Sequence, residues 1–499
     1  MLLIVLPLAL LLFGIALHVL TYFHRRQYSH IPSVPIPASL KWVVGHGPFI
    51  LDKAKLFGFD LTAIVESFRV DLSAETIVIF SPGTKSPMVY SVRVSFFSKI
   101  LGDHKTFLKP PPALDYVNGV RILGPKGILL ERGSEVWYHK RRVMDPAFHK
   151  KFLRILMSKM NGKAKKVSDY LGRLPEKRNV NILPILERTA LEVVWSCGFN
   201  MTEDIITSEK SPINQAVSDI FRVGAMKIFN GLTFWIPGTF RAEKKLLFEK
   251  AEYLRGLMKE RLQSRYDSIA EGTDTTEDIL SYIIKANQFS DKLNIEDVVD
   301  DFLVFLIAGM ETTAITMSIL LWYMLKDGEM AKRLKEEVNQ MFEDKEELEF
   351  DDLNNLVYLE QCIKEVLRLH APSRISFRMS PNKTTMVDGI ELPPKSRVLV
   401  SVEAIHHLAT IWPDPAKFDP SRFQPDKVKD IHPFTYMPFN AGPRVCIGRH
   451  FAMMEAKIVI SRLLRDLTLF DPAPENSNLE IHTLLLARPK YGVFVGIVE

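Results

Sequence analysis

Phe439-Asn440-Ala441-Gly442-Pro443-Arg444-Val445-Cys446-Ile447-Gly448 is the stretch on which the reading of this chain turns. Its cysteine is one of three in 499 residues; the others, Cys197 and Cys362, lie far away in sequence. Glycines frame Cys446, an arginine stands two positions before it, and a helical pattern from about Arg449 follows it. The first amides of such a helix point back at the sulfur and favour a thiolate. Gly442 lets the loop turn, and Gly448 lets the backbone lie close to a flat ligand. Arg444 offers a forked donor pair to a carboxylate, and Phe439 can shield the sulfur from water. A thiolate held this way can ligate one metal centre from one side. Taken alone, a single cysteine fits a buried, inert core position as well.

With its frame, the segment resembles the haem-binding loop of the cytochrome P450 family, Phe-x-x-Gly-x-Arg-x-Cys-x-Gly. It matches at every fixed position: Phe439, Gly442, Arg444, Cys446 and Gly448. The resemblance implies haem b (iron protoporphyrin IX) with the Cys446 thiolate as axial ligand of the iron, a ligation that favours O–O cleavage.

Working outward, Ala308-Gly309-Met310-Glu311-Thr312-Thr313 sits midway along a long apolar helical pattern, about Asn294–Leu325. A glycine there costs about 1 kcal/mol of helix stability against alanine. A carboxylate beside a hydroxyl in an apolar helix is costly unless both have partners. The segment alone reads as a kink with satisfied polar groups. It also resembles the oxygen-binding helix of P450s, which implies room for dioxygen at Gly309, a hydrogen bond from Thr312, and a proton route through Glu311. Many fatty-acid ω-hydroxylases of the family carry a glutamate, linked covalently to haem, where this chain has Ala308. The expectation is therefore non-covalent haem.

Glu365 and Arg368 lie three apart on one helix face, a pattern common on surfaces. In the family this pair meets an arginine from a Pro-x-Arg-Phe segment, here Pro420-Ser421-Arg422-Phe423. The resemblance makes Glu365, Arg368 and Arg422 a buried structural lock. Trp137 and Arg141, four apart on one helix face, resemble the family's propionate-holding Trp-x-x-x-Arg, which suits the arginine fork; a surface cation–π pair is the other reading. Arg378 is a further propionate candidate, and His406 is either another or structural. Lys140 and Arg142 read as a basic face, for a redox partner or simply for solvent.

Composition sets the class. Hydrophobic residues make up 47% and charged residues 25%, with a net charge of +5, so a large core is available and no strong polyelectrolyte signal exists. No basic tract with interleaved aromatics points to nucleic acid. Three scattered cysteines give neither a disulfide framework nor a zinc or iron–sulfur cluster. Met1 to Phe23 carries no Asp, Glu, Lys or Arg. About 22 helical residues span roughly 33 Å, enough for one pass of a bilayer core of about 30 Å. Arg25 and Arg26 follow, and no basic start precedes the run, which favours an anchor over a cleaved signal.

The expected organisation is a transmembrane anchor over 1–23, a Pro-rich linker over 24–40, and one haem-thiolate domain over 41–499. Its fold class is mainly α with small β-sheets, the P450 fold. Helices are expected at Ser134–Met144, Arg241–Ser268, Asn294–Leu325, Glu329–Phe342, Leu356–Leu369 and Arg449–Leu467. Strands are expected at Glu75–Phe80, Met88–Val92, Val398–Val402 and Tyr491–Val498, with Pro82-Gly83 turning between the first pair.

Within the family, the Val136–Phe148 segment and the oxygen helix look most like the cholesterol 24-hydroxylase branch and its fatty-acid ω-hydroxylase relatives. The resemblance implies a single-pass endoplasmic-reticulum enzyme with a cytosolic catalytic domain. It would insert one atom of O2 into a C–H bond of a sterol or fatty acid. No Gly-rich nucleotide fingerprint appears, so electrons come from a separate protein, NADPH-cytochrome P450 reductase, with cytochrome b5 as a second candidate. Two other readings stand beside this one: a haem-thiolate isomerase or dehydratase, and a non-catalytic haem or lipid sensor.

Overall fold

The computed structural model describes residues 26–27, 29–33, 61–79, 88–110, 124, 126–230, 238, 240–288, 295–472, 478–483 and 486–498. The anchor over 1–23, most of the 24–40 linker, the Pro82-Gly83 turn and the Asn294 cap lie outside these residues. Helices dominate, with small sheets, and the chain divides into two compact units.

The first unit draws on Met1–Pro111, Arg374–Pro415 and His432–Val445. It holds helix α1 (Leu61–Asp71), strands β1 (Thr76–Ile79) and β2 (Met88–Ser91), helix α2 (Val94–Gly102), and strands β3 (Ile375–Met379) and β4 (Arg397–Ser401). The sheet order is β1-β2-β4-β3. The β1 and β2 strands pair antiparallel with Thr76 opposite Ser91, as the expected hairpin requires. Strand β2 runs parallel to β4, and β3 antiparallel to β4, with Arg378 opposite Val398. Every residue of β1, β2 and β4 is buried, which explains their continuous apolar runs. Val402, expected in the strand, instead starts a short helix to His406 whose first turn is capped by the Ser401 hydroxyl.

The second unit comprises Pro112–Ser373, Ala416–Ile431 and Cys446–Glu499. Its main helices are α3 (Ser134–Met144), α4 (Met157–Gly172), α5 (Ile182–Phe199), α6 (Arg241–Ala270), α7 (Ile295–Lys326), α8 (Val357–Leu369) and α9 (Arg449–Asp466). A hairpin pairs β5 (Ile481–Thr483) with β6 (Ala487–Pro489), Arg488 standing opposite His482. The longest helix, α7, places Glu296 and Asp297 in its first turn and Lys326 in its last, both complementing the helix dipole. It is apolar enough to cross a bilayer, yet most of its apolar window is buried inside the protein, so it is a core helix. It packs along α5, whose residues are nearly all buried. The Asn181 side chain accepts from Leu183 N–H at the start of α5, and Asn200 ends it in the left-handed region at φ 52°.

Candidate functional site

In the second unit, Cys446 stands just before α9, whose N-cap is Gly448. Among the described residues no cluster of three or more His, Cys, Asp or Glu side chains could hold a metal ion. Its side chain is accessible, unlike those of Cys197 and Cys362. Surrounding protein nevertheless desolvates the sulfur, and this pushes the thiol pKa up. Backbone N–H groups of Gly448 and Arg449, and the positive charges of Arg141 and Arg449, pull it the other way. Those groups favour the thiolate, and a cationic ligand would complete their effect. A Cβ on Gly448 would lie 4.0 Å from the Cys446 sulfur, so the glycine keeps the backbone beside the sulfur bare.

The same unit brings α3 to this cysteine. Trp137 is buried, and Arg141 acts on the sulfur electrostatically while pairing with Asp145 one turn along. Lys140 departs from the expected basic face. It is buried, its Nζ lies 2.9 Å from Asp301 Oδ2 on α7, and it donates to the Lys126 carbonyl at 2.7 Å. Of the two side chains assigned to a docking face, only Arg142 is exposed.

Between Val298 and Leu321, helix α7 is buried except for one stripe: Phe305, Ala308, Gly309 and Thr312. Their spacing puts them on one face. Ala308 is exposed, and its methyl offers no group to bond covalently to anything facing it. Thr312 Oγ1 donates back to the Ala308 carbonyl at 2.7 Å. Gly309 is more constrained than the expected dioxygen groove implies. A Cβ there would come within 2.7 Å of Val194 Cγ2 on α5, so the missing side chain serves the close crossing of the two helices. Gly309→Ala is expected to lower stability by about 1–3 kcal/mol through overpacking. Adding Val194→Ala should recover most of it in thermal unfolding; no recovery would mean the glycine is needed for another reason.

Glu311 turns into the core. Its carboxylate is held by Arg488 Nη1 on β6 at 2.6 Å, and Arg488 Nη2 reaches Glu187 on α5 at 2.9 Å. Burial pushes the Glu311 carboxyl up to about 7, against the pull of Arg488 and with the help of Glu187. No hydrogen bond joins Glu311 to Thr312; each is satisfied elsewhere. Arg488 and Glu187 were not legible as partners, since Arg488 is 177 positions from Glu311.

Glu365, Arg368 and Arg422 come together in one cluster. Arg368 grips Glu365 with both Nε and Nη2 at 2.8 Å, both side chains being wholly buried. Arg422 Nε adds a 3.4 Å ion pair to Glu365. The Asp419 N–H donates to Glu365 at 2.9 Å, and Arg368 donates to the Lys417 carbonyl at 3.1 Å. Helix α8 is thus tied to the segment that approaches the cysteine loop in sequence.

The first unit carries the other half of the motif. Asn440 and Gly442 adopt φ of 63° and 73°. A Cβ at 442 would lie 2.3 Å from the Leu101 carbonyl oxygen at the end of α2, so only glycine fits. Asn440 Nδ2 donates to Ser376 Oγ on β3 at 3.3 Å, and Arg378 Nη1 donates to the same hydroxyl at 2.9 Å. Arg378 and Arg444 are both buried guanidinium groups. His406 takes its structural reading: Nε2 accepts the Met437 N–H at 2.9 Å and the ring stacks on Tyr436. Phe439 is half-buried.

Within the second unit, the accessible, amide-facing Cys446 with the Arg141 charge acting on it fits thiolate ligation of a haem iron by the chemistry of its donors. A family model described as Cytochrome P450 matches residues 55–495. Among curated proteins, the chain is 26% identical to a leukotriene-B4 omega-hydroxylase 3 of Mus musculus, over 95% of this chain and 91% of the relative. It is 27% identical to cytochrome P450 4F1 of Rattus norvegicus, over 98% and 94%. It is 29% identical to cytochrome P450 4A10 of the same organism, over 76% of each. These relatives correct the expected branch: the resemblance runs to the 4-series proteins, not to a cholesterol 24-hydroxylase.

Proposed function

This chain belongs to the cytochrome P450 family and is a haem-thiolate monooxygenase, and we propose that its substrate is a fatty acid or a related long-chain lipid oxidised at a C–H bond. The observation that carries the monooxygenase reading is Cys446 itself, accessible at the head of α9 and faced by two backbone amides, within the matched span. The lipid class rests on similarity to a leukotriene omega-hydroxylase and to 4-series relatives; a sterol is the weaker candidate.

The bound haem supplies dioxygen activation, so that the lipid C–H bond becomes C–OH and the second oxygen atom leaves as water, at the expense of two electrons and two protons. The chain does the rest. Cys446 ligates the iron. Trp137, Arg141, Arg378 and Arg444 hold the propionates as hydrogen-bond and charge partners. Gly448 and Phe439 give close approach and shielding around the thiolate. The stripe Phe305–Ala308–Thr312 borders the substrate space, and Ala308 leaves the haem non-covalent, so that an acidic organic solvent extracts it. Thr312 and Glu311 handle protons.

Electrons come from a separate redox protein; NADPH-cytochrome P450 reductase, with cytochrome b5 as an accessory, is the proposed source. The apolar run over 1–23 supports a single-pass anchor in the endoplasmic reticulum with residues 41–499 as the cytosolic catalytic domain. An isomerase or dehydratase would not need a proton route through Glu311 and Thr312, and a sensor would consume no NADPH with a reductase present. The test is turnover of a fatty-acid and eicosanoid panel with reductase, NADPH and isotopically labelled dioxygen. One labelled atom in a hydroxylated product is expected. Unlabelled product, or none across a panel that also includes sterols, rules out the proposal.

A further inference from the structure

The accessible stripe on α7 stops at Phe305, and the next residue on that face is buried in an ion pair. Asp301 lies four residues before Phe305, in line with Phe305, Ala308 and Thr312 by helical spacing. Its side chain is wholly buried, as is that of its partner Lys140 on α3, 2.9 Å away. The pair holds a short piece of backbone against this end of the stripe. Asp301 accepts the Ile128 N–H, Asp300 accepts the Lys126 N–H at 2.8 Å, and Lys140 donates to the Lys126 carbonyl at 2.7 Å. Glycines let that backbone lie flat on α7. A Cβ on Gly127 would come within 2.6 Å of Val304 Cγ2, and one on Gly124 within 2.5 Å of the Asp300 carbonyl oxygen. The Phe305 ring is flanked by those of Phe302 and Phe148, with centroids 5.6 and 5.1 Å away.

We propose that Lys140 is a positioning residue for the substrate: with Asp301 it fixes the 126–128 backbone as the stop for a lipid chain lying along α7, and so sets the length of chain that fits. The inference rests on the reading of the Phe305–Ala308–Thr312 stripe as the border of the substrate space. Stability alone does not call for the pair, since a buried ion pair is often no better than apolar side chains of the same volume. What the pair supplies is geometry. Asp301 and Lys140 fasten one amide and one carbonyl of the segment to α7 and α3, which aliphatic side chains in their place could not do.

Straight-chain N-alkyl imidazoles of increasing length, bound to the haem iron of the holoenzyme, measure this space without requiring turnover. In the parent, affinity is expected to rise about fourfold with each buried methylene until the chain meets the stop, and then to level off. Lys140→Met unties the Lys126 carbonyl, and Gly127→Ala pushes the segment off Val304 with the ion pair intact. In both, the levelling should move to longer chains, and the length preference of lipid hydroxylation should move in step. Arg265→Met is the control for lost stability. It breaks a similarly buried pair with Asp278, whose members lie on neither α3 nor α7, and it should level off where the parent does. A parent with no levelling, or both variants levelling off at the parent's length, overturns the inference; if Lys140→Met does not load haem, Gly127→Ala decides alone. Failure of the parent to oxidise any lipid would instead sink the substrate reading, with the imidazole series still deciding the stop.

Discussion

Cys446→Ser is expected to reduce reductase-supported lipid hydroxylation to background. A serine hydroxyl stays protonated at neutral pH and cannot supply the anionic sulfur that the Gly448 and Arg449 amides and the Arg141 charge favour. The loss should exceed the roughly 10–100-fold that follows removal of an outer-shell partner of a metal site. The fold should survive, because the side chain is accessible and exchanging sulfur for oxygen removes little packing. Near-parent thermal unfolding with no turnover is therefore the expected pair of results. Cys197→Ser is the control: that thiol is buried, its pKa pushed up to about 12, and it has no assigned role in the chemistry. If Cys446→Ser keeps both pigment and product formation, the sulfur is not the ligand.

Glu365→Ala is expected to do the opposite, damaging the fold before the chemistry. It strands Arg368, wholly buried, and removes the acceptor of the Asp419 N–H and the partner of Arg422. Breaking one member of a buried pair costs about 3–5 kcal/mol, because the remaining charge is left without compensation. That is a large share of the roughly 5–15 kcal/mol that holds a folded protein together. Little soluble, haem-loaded protein should accumulate, and what does should melt well below the parent. Arg422→Ala should be milder, since its ion pair is longer at 3.4 Å and the side chain is 11% exposed. Equal melting of all three proteins would show that the cluster is not a structural lock.

Where one face of a helix carried a clear 3.6-residue pattern, the sequence was easily read. Ser134–Met144 forms with the expected bounds, and the helices at Arg241, Ile295 and Arg449 end within a few residues of expectation. Three large helices escaped, Pro212–Asn230 among them. Ile182–Phe199 is buried nearly all round, so it has no polar face to create a period. Met157–Gly172 carries Asn161, Gly162 and Ser168, poor helix formers that packing against α9 overrides. Short strands such as Ile375–Met379 were missed because few alternating residues fit in so short a run.

At the site, the local motifs were legible and their distant partners were not. The Phe439–Gly448 frame and the Glu365–Arg368 pair are written in adjacent residues. Gly309 was read for its neighbours on α7, while Val194 on α5 sets its need for no side chain. Lys140 looked like a surface charge beside Arg142 until Asp301 claimed it. The Arg488 and Glu187 seats come from β6 and α5, and no spacing rule links them to Glu311.

The most direct measurement is the difference spectrum of the purified protein, reduced and exposed to carbon monoxide. Ligation of iron by the Cys446 thiolate predicts the strongly red-shifted carbonyl band of a sulfur-ligated haem. A folded protein that carries haem but gives only the unshifted band of a nitrogen-ligated one, or that binds no haem at all, contradicts the account.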